Sequence, residues 1–233
     1  MRPWLGGERS LEGLNALAEK QGLKTESGRP VRFVAPGEKD AYYEIKVYET
    51  GRVETRPDSL HDYFNALAWL AFPLTKARIN AMHAAEIPRE RGRRGRLRDL
   101  LTIFDEGGAI VQSDDAHLIS LLEGFEWKKL FWDNRERVVR SMRIVVFGHA
   151  VLEKALEPWP GITCKAIVVE PRAQPDTAAR DWLAGLAPDA SPRLMPPLPI
   201  FGFPGWHAEN ARGGFYDDAR YFRPLRPERY GKT

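Results

Sequence analysis

The chain has 233 residues, 43% of them hydrophobic and 29% charged, with a formal net charge of +3. That length allows one sizeable core or at most two small domains, and the composition is ordinary for a globular protein. The weak net charge leaves any nucleic-acid binding to local clusters, and the single cysteine, Cys164, excludes an internal disulfide.

The opening MRPWLGGERS lacks the apolar run of a signal peptide, and no stretch approaches the roughly 18 apolar residues of a membrane span. The expectation is a cytoplasmic protein with no membrane association. Ser10 is placed to cap a short helix carrying Leu11, Leu14, Leu17 and Ala18, with Gly22 ending it. Residues 31–34 read as a strand. From 42 to 48, Tyr43, Ile45 and Val47 alternate with Glu44 and Lys46, the pattern of a half-buried strand. A turn at 49–52 leads to a short return strand over 53–56.

Ser59 stands three residues before Asp62, a capping arrangement for the most informative segment of the chain. Steps of three or four residues select His61, Asn65, Trp69, Phe72, Lys76, Asn80 and His83. A continuous helix would gather them within an arc of roughly 100°. The residues between them are largely apolar, which predicts a buried helix. Polar groups there are costly unless partnered. Pro73 interrupts the run, so the spacing predicts either a bend or two helices, 59–71 and 74–86.

Residues 89–98, RERGRRGRLR, hold Arg89, Arg91, Arg93, Arg94, Arg96 and Arg98; Gly92 and Gly95 predict a solvated loop. Residues 100–104 read as a strand, Asp105-Glu106-Gly107-Gly108 as a turn and 109–111 as the second arm of a hairpin. A helix is expected from about 113 to 132, a strand over 143–147, a helix over 149–156, a strand over 162–169 and an amphipathic helix over 176–187. After Pro188 the chain turns rich in proline and aromatics, including Phe201, Phe203, Trp206, Phe215, Tyr216, Tyr221 and Phe222. So many aromatics argue for a tail that wraps the domain and completes its core. The expected fold is α+β, with short antiparallel hairpins and helices packed on one side. It is expected to be one domain over 1–233, residues 1–40 forming an N-terminal extension and 188–233 the tail.

Four segments, GRVETRPDSLHDYFNALAWLAFPLTKARIN, RLRDLLTIFDEGGAIV, VVFGHAVLEKALEPWPGITCKA and PLPIFGFPGW…FYDDARYFRP, together resemble the proteobacterial domain of unknown function 3025 family. The resemblance runs from about Tyr42 onward. It implies a soluble bacterial protein in which the four segments share a domain, and it brings no catalytic residue with it.

Site chemistry is therefore read from the residues alone. His61, Asn65 and Lys76 could present a general base, an amide clamp and an anion-binding charge to a pocket. The same residues could cap the helix, tie down a loop and snorkel to water. Asp105 and Glu106 at a hairpin tip could hold a divalent cation such as Mg²⁺, or simply form a tight turn. His149 and Glu153, one turn apart, could share a metal or an acid–base task, although a glutamate there also suits the helix dipole. Convergence of His61, Asp105, Glu106 and His149 would suit a divalent-metal hydrolase.

The arginine loop, with Arg135, Arg137, Arg140 and Arg143, could instead neutralise phosphates of RNA or DNA. No base-reading motif accompanies it. Cys164 is expected to be buried and inert, and no nucleotide-binding fingerprint is present. The leading expectation is an enzyme acting on a small anionic molecule through His61, Asn65, Lys76 and His149, with metal assistance from Asp105, Glu106 and Glu153. The alternatives are a non-catalytic polyanion-binding module and a protein-interaction scaffold that uses the tail.

Overall fold

The computed structural model describes residues 10–37, 42–90 and 94–225. Helix α1 (Leu11–Gln21) begins at Ser10, whose hydroxyl accepts from Gly13 N, and ends at Gly22 in the left-handed conformation, as the sequence indicates. Strand β1 (Arg32–Val34) pairs in parallel with β2 (Arg52–Glu54). Between them the expected strand is instead helix α2 (Tyr43–Thr50). An apolar-polar alternation this short also fits a helix, and tertiary packing of α2 on a later helix decides the matter. Gly51 closes α2 with φ 74°, and a Cβ there would lie 2.1 Å from Pro30 O, so only glycine fits.

Helices α3 (Leu60–Ala71) and α4 (Pro73–Glu86) are separate, split at the proline as one of the two expectations has it. Ser59 caps α3 by accepting from Asp62 N. Pro73 occupies the first turn of α4, where its missing N–H costs nothing, so the penalty of an interior proline never arises. The other end of the cap comes from far away. Asp176 accepts from Leu74 N and Thr75 N.

The expected hairpin over 100–111 is absent. Residues Arg96–Gly107 form helix α5, which runs directly into strand β3 (Gly108–Ser113). Leu97, Leu100, Leu101 and Phe104 are all buried; their three- and four-residue steps mark one helical face. The two glycines end this helix rather than turn a hairpin. A Cβ on Gly108 would meet the Phe104 ring and carbonyl at 2.4 Å.

Helix α6 (Ala116–Glu123), capped by Asp115, stops well short of the expected end at 132. Gly124 and then Phe125, at φ 57°, break it, and Lys129–Asp133 form a π-helical turn. Helix α7 (Arg135–Ser141), strand β4 (Met142–Val146), helix α8 (His149–Lys154), strand β5 (Thr163–Val169), helix α9 (Pro175–Ala184) and strand β6 (Pro197–Pro199) follow.

The larger sheet has the order β4-β3-β5-β6, with β3 antiparallel to β4 and parallel to β5, and β6 antiparallel to β5. Its two faces are both covered, not one. Ala109, Val111, Cys164 and Ala166 join a cluster with Leu118, Leu122, Leu130 and the tail residues Phe201, Tyr216, Tyr221 and Phe222. Ile110 and Ile167 point the other way, into Leu100, Leu101, Phe104, Phe147 and Leu183. This period-two division is what a strand buried on both faces requires. The architecture is α+β, and the tail belongs to the core. Among the described residues no helix is long and apolar enough to cross a membrane.

Candidate functional site

The polar residues of α3 and α4 meet those of α5 and α8 in one chain of contacts. Helix α8 packs on α3 and α5, and α4 packs on both α3 and α5. Because His61 opens α3 and His149 opens α8, their rings meet: Nε2 to Nε2 is 3.1 Å, with centroids 4.6 Å apart and ring planes at 70°. His61 Nδ1 lies 3.2 Å from Glu153 Oε2, and its side chain is 42% exposed. His149 is buried, and its Nδ1 lies 2.8 Å from the backbone carbonyl of Asp105.

From Asp105 the chain continues inward. Its Oδ1 accepts from Lys76 Nζ at 2.6 Å, and Lys76 also donates to Asn65 Oδ1 at 2.7 Å. The ammonium sits 5.6 Å from the centre of the Trp69 ring, a cation–π distance. Two hydrogen bonds and an aromatic face meet the three donors of a buried lysine. Asn80 donates to Glu44 Oε2 and Glu44 O, and its own Oδ1 is buried without a partner. His83 Nδ1 accepts from Arg98 Nε at 3.2 Å, and Arg98 also pairs with Glu90 at 2.6 Å.

These placements shift proton affinities. Burial pushes the His149 imidazole down to about 4, against the opposing pull of Asp105. Burial, helped by Arg98, likewise lowers His83 to about 4. For Asp105, burial acts upward, but Lys76 and His149 outweigh it and hold the carboxyl below its usual value. Burial pushes the Glu44 carboxyl up despite the Asn80 hydrogen bond. Oppositely displaced carboxyls in one cluster are a feature of functional sites as well as of structural networks.

The structure thus brings together His61, Asn65, Lys76, Asp105, His149 and Glu153 from the sequence reading. Glu106 is exposed on the last turn of α5. Asp105, Glu106 and Glu153 do not assemble as a metal set: among the described residues no group of three or more His, Cys, Asp and Glu side chains could hold an ion. Lys76 is not an open anion-binding charge, because Asp105 meets it. Glu44 is the participant that strand spacing hides. With helical spacing it lies three residues from buried Val47 and shares its face.

No family is named by this geometry, but the chain as a whole has one. A family model described as a protein of unknown function (DUF3025) matches residues 31–226. The chain belongs to this DUF3025 family. No curated protein and no solved structure matches it. For a DUF3025 protein the site must be argued from its own side chains.

The other candidate regions are placed as follows. Arg91 and Arg93 lie outside the described residues. Arg89 pairs with Glu86, Arg94 with Asp99 and Arg98 with Glu90, while Arg96 is exposed. Of the later arginines, Arg135 donates to Asn210 O and Arg137 pairs with Asp115. Arg140 and Arg143 line a shallow cavity of about 380 Å³ beside Gln112. A larger cavity of about 830 Å³, lined by Trp127, Trp159, Lys165 and Tyr221 among others, contains none of the histidine-cluster residues. Cys164 is buried, and burial pushes its thiol up to about 12, which leaves it unreactive.

Proposed function

We propose that this DUF3025 protein is an enzyme of the hydrolytic type, with His61 and His149 as its catalytic pair. The single observation that carries the reading is the contact chain Glu153–His61–His149–Asp105–Lys76–Asn65, built from residues up to 92 positions apart. So many polar groups enclosed between helices are costly to assemble for stability alone. His61 and Glu153 are the members open to solvent, and His61 meets the substrate. His149 supports it from within, and the Asp105 carbonyl fixes the orientation of the His149 ring. Lys76, itself steadied by Asn65, holds Asp105 in place. The reading requires no anionic substrate, because the charge on Lys76 is already met. The polyanion alternative is weakened, since three arginines of the 89–98 segment are neutralised within the chain.

The test is a screen of chromogenic carboxylate, phosphate and sulfate esters with wild type and His61→Ala in parallel. Turnover that falls by at least about a hundredfold in His61→Ala supports the reading. Turnover indifferent to His61→Ala removes it.

A further inference from the structure

The back-to-back histidines carry an inference that rests on reading this cluster as the functional site. His149 directs Nδ1 to a backbone carbonyl, and His61 directs Nδ1 to the Glu153 carboxylate. Both partners are acceptors, so each Nδ1 carries the hydrogen. In a neutral imidazole the other nitrogen then presents a lone pair. Two such Nε2 atoms face each other at 3.1 Å. Lone pairs that close repel unless a positive charge lies between them. That charge is either a proton or a metal ion.

Ring geometry constrains both. A collinear N–H···N bond sets the centroids apart by the N···N distance plus a ring radius at either end, about 5.4 Å. The observed separation is 4.6 Å, so at least one Nε2 axis bends well off the N···N line. An ion bonded at about 2.05 Å to both nitrogens would subtend about 98° and leave the centroids about 4.8 Å apart. That angle lies between the octahedral and tetrahedral values. A bent N–H···N bond and a shared ion both accommodate the observed spacing, so the groups behind the two rings carry the choice.

We propose that His61 Nε2 and His149 Nε2 are ligands of one divalent transition-metal ion of the zinc class. Each ring has what a metal-bound imidazole needs behind it: a carboxylate for His61 and a backbone carbonyl for His149. Imidazole donors favour zinc, copper or nickel over magnesium and calcium. Two protein ligands are one fewer than hold a typical catalytic zinc ion, so water and substrate would fill the remaining positions. The acidic residues suggested by sequence as ligands then act behind the histidines: Glu153 through its carboxylate, Asp105 through its backbone carbonyl.

The experiment is calorimetric titration of tag-free protein, stripped with EDTA and dialysed, with ZnCl₂ and separately with MgCl₂. A single Zn²⁺ should bind per chain and Mg²⁺ should not. His61→Ala and His149→Ala should abolish the zinc heat, and Glu153→Gln should weaken affinity by roughly 10- to 100-fold. Buried His149 can be needed for folding, so half-exposed His61 supplies the deciding variant, with its fold checked by circular dichroism. Folded wild type that takes up no zinc overturns the inference, as does zinc binding unchanged in folded His61→Ala. Either result leaves His61-dependent turnover to its own screen. Zinc bound without any such turnover would keep the metal and remove the enzyme.

Discussion

Lys76 Nζ lies 2.6 Å from Asp105 Oδ1, with only 5% of the lysine side chain and 20% of the aspartate exposed. A pair this enclosed is held because each charge would be stranded without the other. Lys76→Met should therefore cost about 3–5 kcal/mol, the usual penalty for an uncompensated buried charge. The double variant Lys76→Met/Asp105→Leu should recover most of that loss. His149 keeps its partner in the double variant, because it bonds the Asp105 backbone rather than the side chain. Urea unfolding of the three variants measures the difference.

Acid should destabilise the protein before its carboxylates titrate, through His83. The folded-state value is about 4 against 6.5 for an unperturbed imidazole. Arg98, Arg94 and Lys76 oppose its protonation and Asp105 favours it, while burial dominates. Between these values the unfolded chain binds a proton that the folded chain refuses, so stability falls as pH falls. The contribution is complete above pH 6.5 and lost progressively toward pH 4, to a total of about 3 kcal/mol. His83→Gln can still accept from Arg98 and should remove about half of this limb, since His149, lowered to about 4 by its own burial, carries the rest. Chemical unfolding at pH 7.5, 6, 5 and 4.5 tests it, and an unchanged slope in the variant rejects the assignment.

What the sequence could disclose divides along physical lines. Caps and breaks are local chemistry, so Ser10, Gly22, Ser59 and Pro73 marked their elements correctly. Burial of the aromatic tail followed from composition, because Phe201, Tyr221 and Phe222 need a core. Residues 42–48 and 100–104 resemble strands in sequence because short apolar segments fit either period, and only packing on α4 or on the sheet decides between them. The site was legible in its parts. His61, Asn65, Lys76, Asp105, His149 and Glu153 stood out as costly or reactive residues. Their order of contact was hidden, since it depends on how α3, α4, α5 and α8 cross. Placing Asp105 at a hairpin tip made it a ligand candidate, whereas on a helix its carboxylate meets Lys76 and its carbonyl meets His149.

The long-range cap on α4 should be worth measuring by itself. Asp176 accepts from Leu74 N at 3.0 Å and from Thr75 N at 2.8 Å, and its backbone carbonyl accepts from Thr75 Oγ1. Asp176→Ala strips two donors of their partners at a helix start and should cost about 1–2 kcal/mol. The same substitution loosens the end of α4 that precedes Lys76. A loss under a few tenths of a kcal/mol in thermal or urea unfolding would show that water replaces the carboxylate without penalty.

Removal of the segment after Pro196 distinguishes a tail that is core from a tail that docks partners. The deletion takes away β6 and with it Leu198, Ile200, Phe201, Tyr216, Tyr221 and Phe222, all buried. It also removes the Tyr221 hydroxyl that donates to Ile162 O, and the Arg223 carbonyl that accepts from Trp127 Nε1. Each large apolar side chain contributes about 1.5–3 kcal/mol when buried, and whole domains are stable by only about 5–15 kcal/mol. The truncated chain should therefore fail to fold, giving insoluble protein or a broad, non-cooperative melt by circular dichroism. A cooperative, soluble truncation would mean that the remaining sheet face closes without the tail. Only then would a partner-binding role for its aromatics regain ground, because residues a fold can spare are the ones free to bind something else.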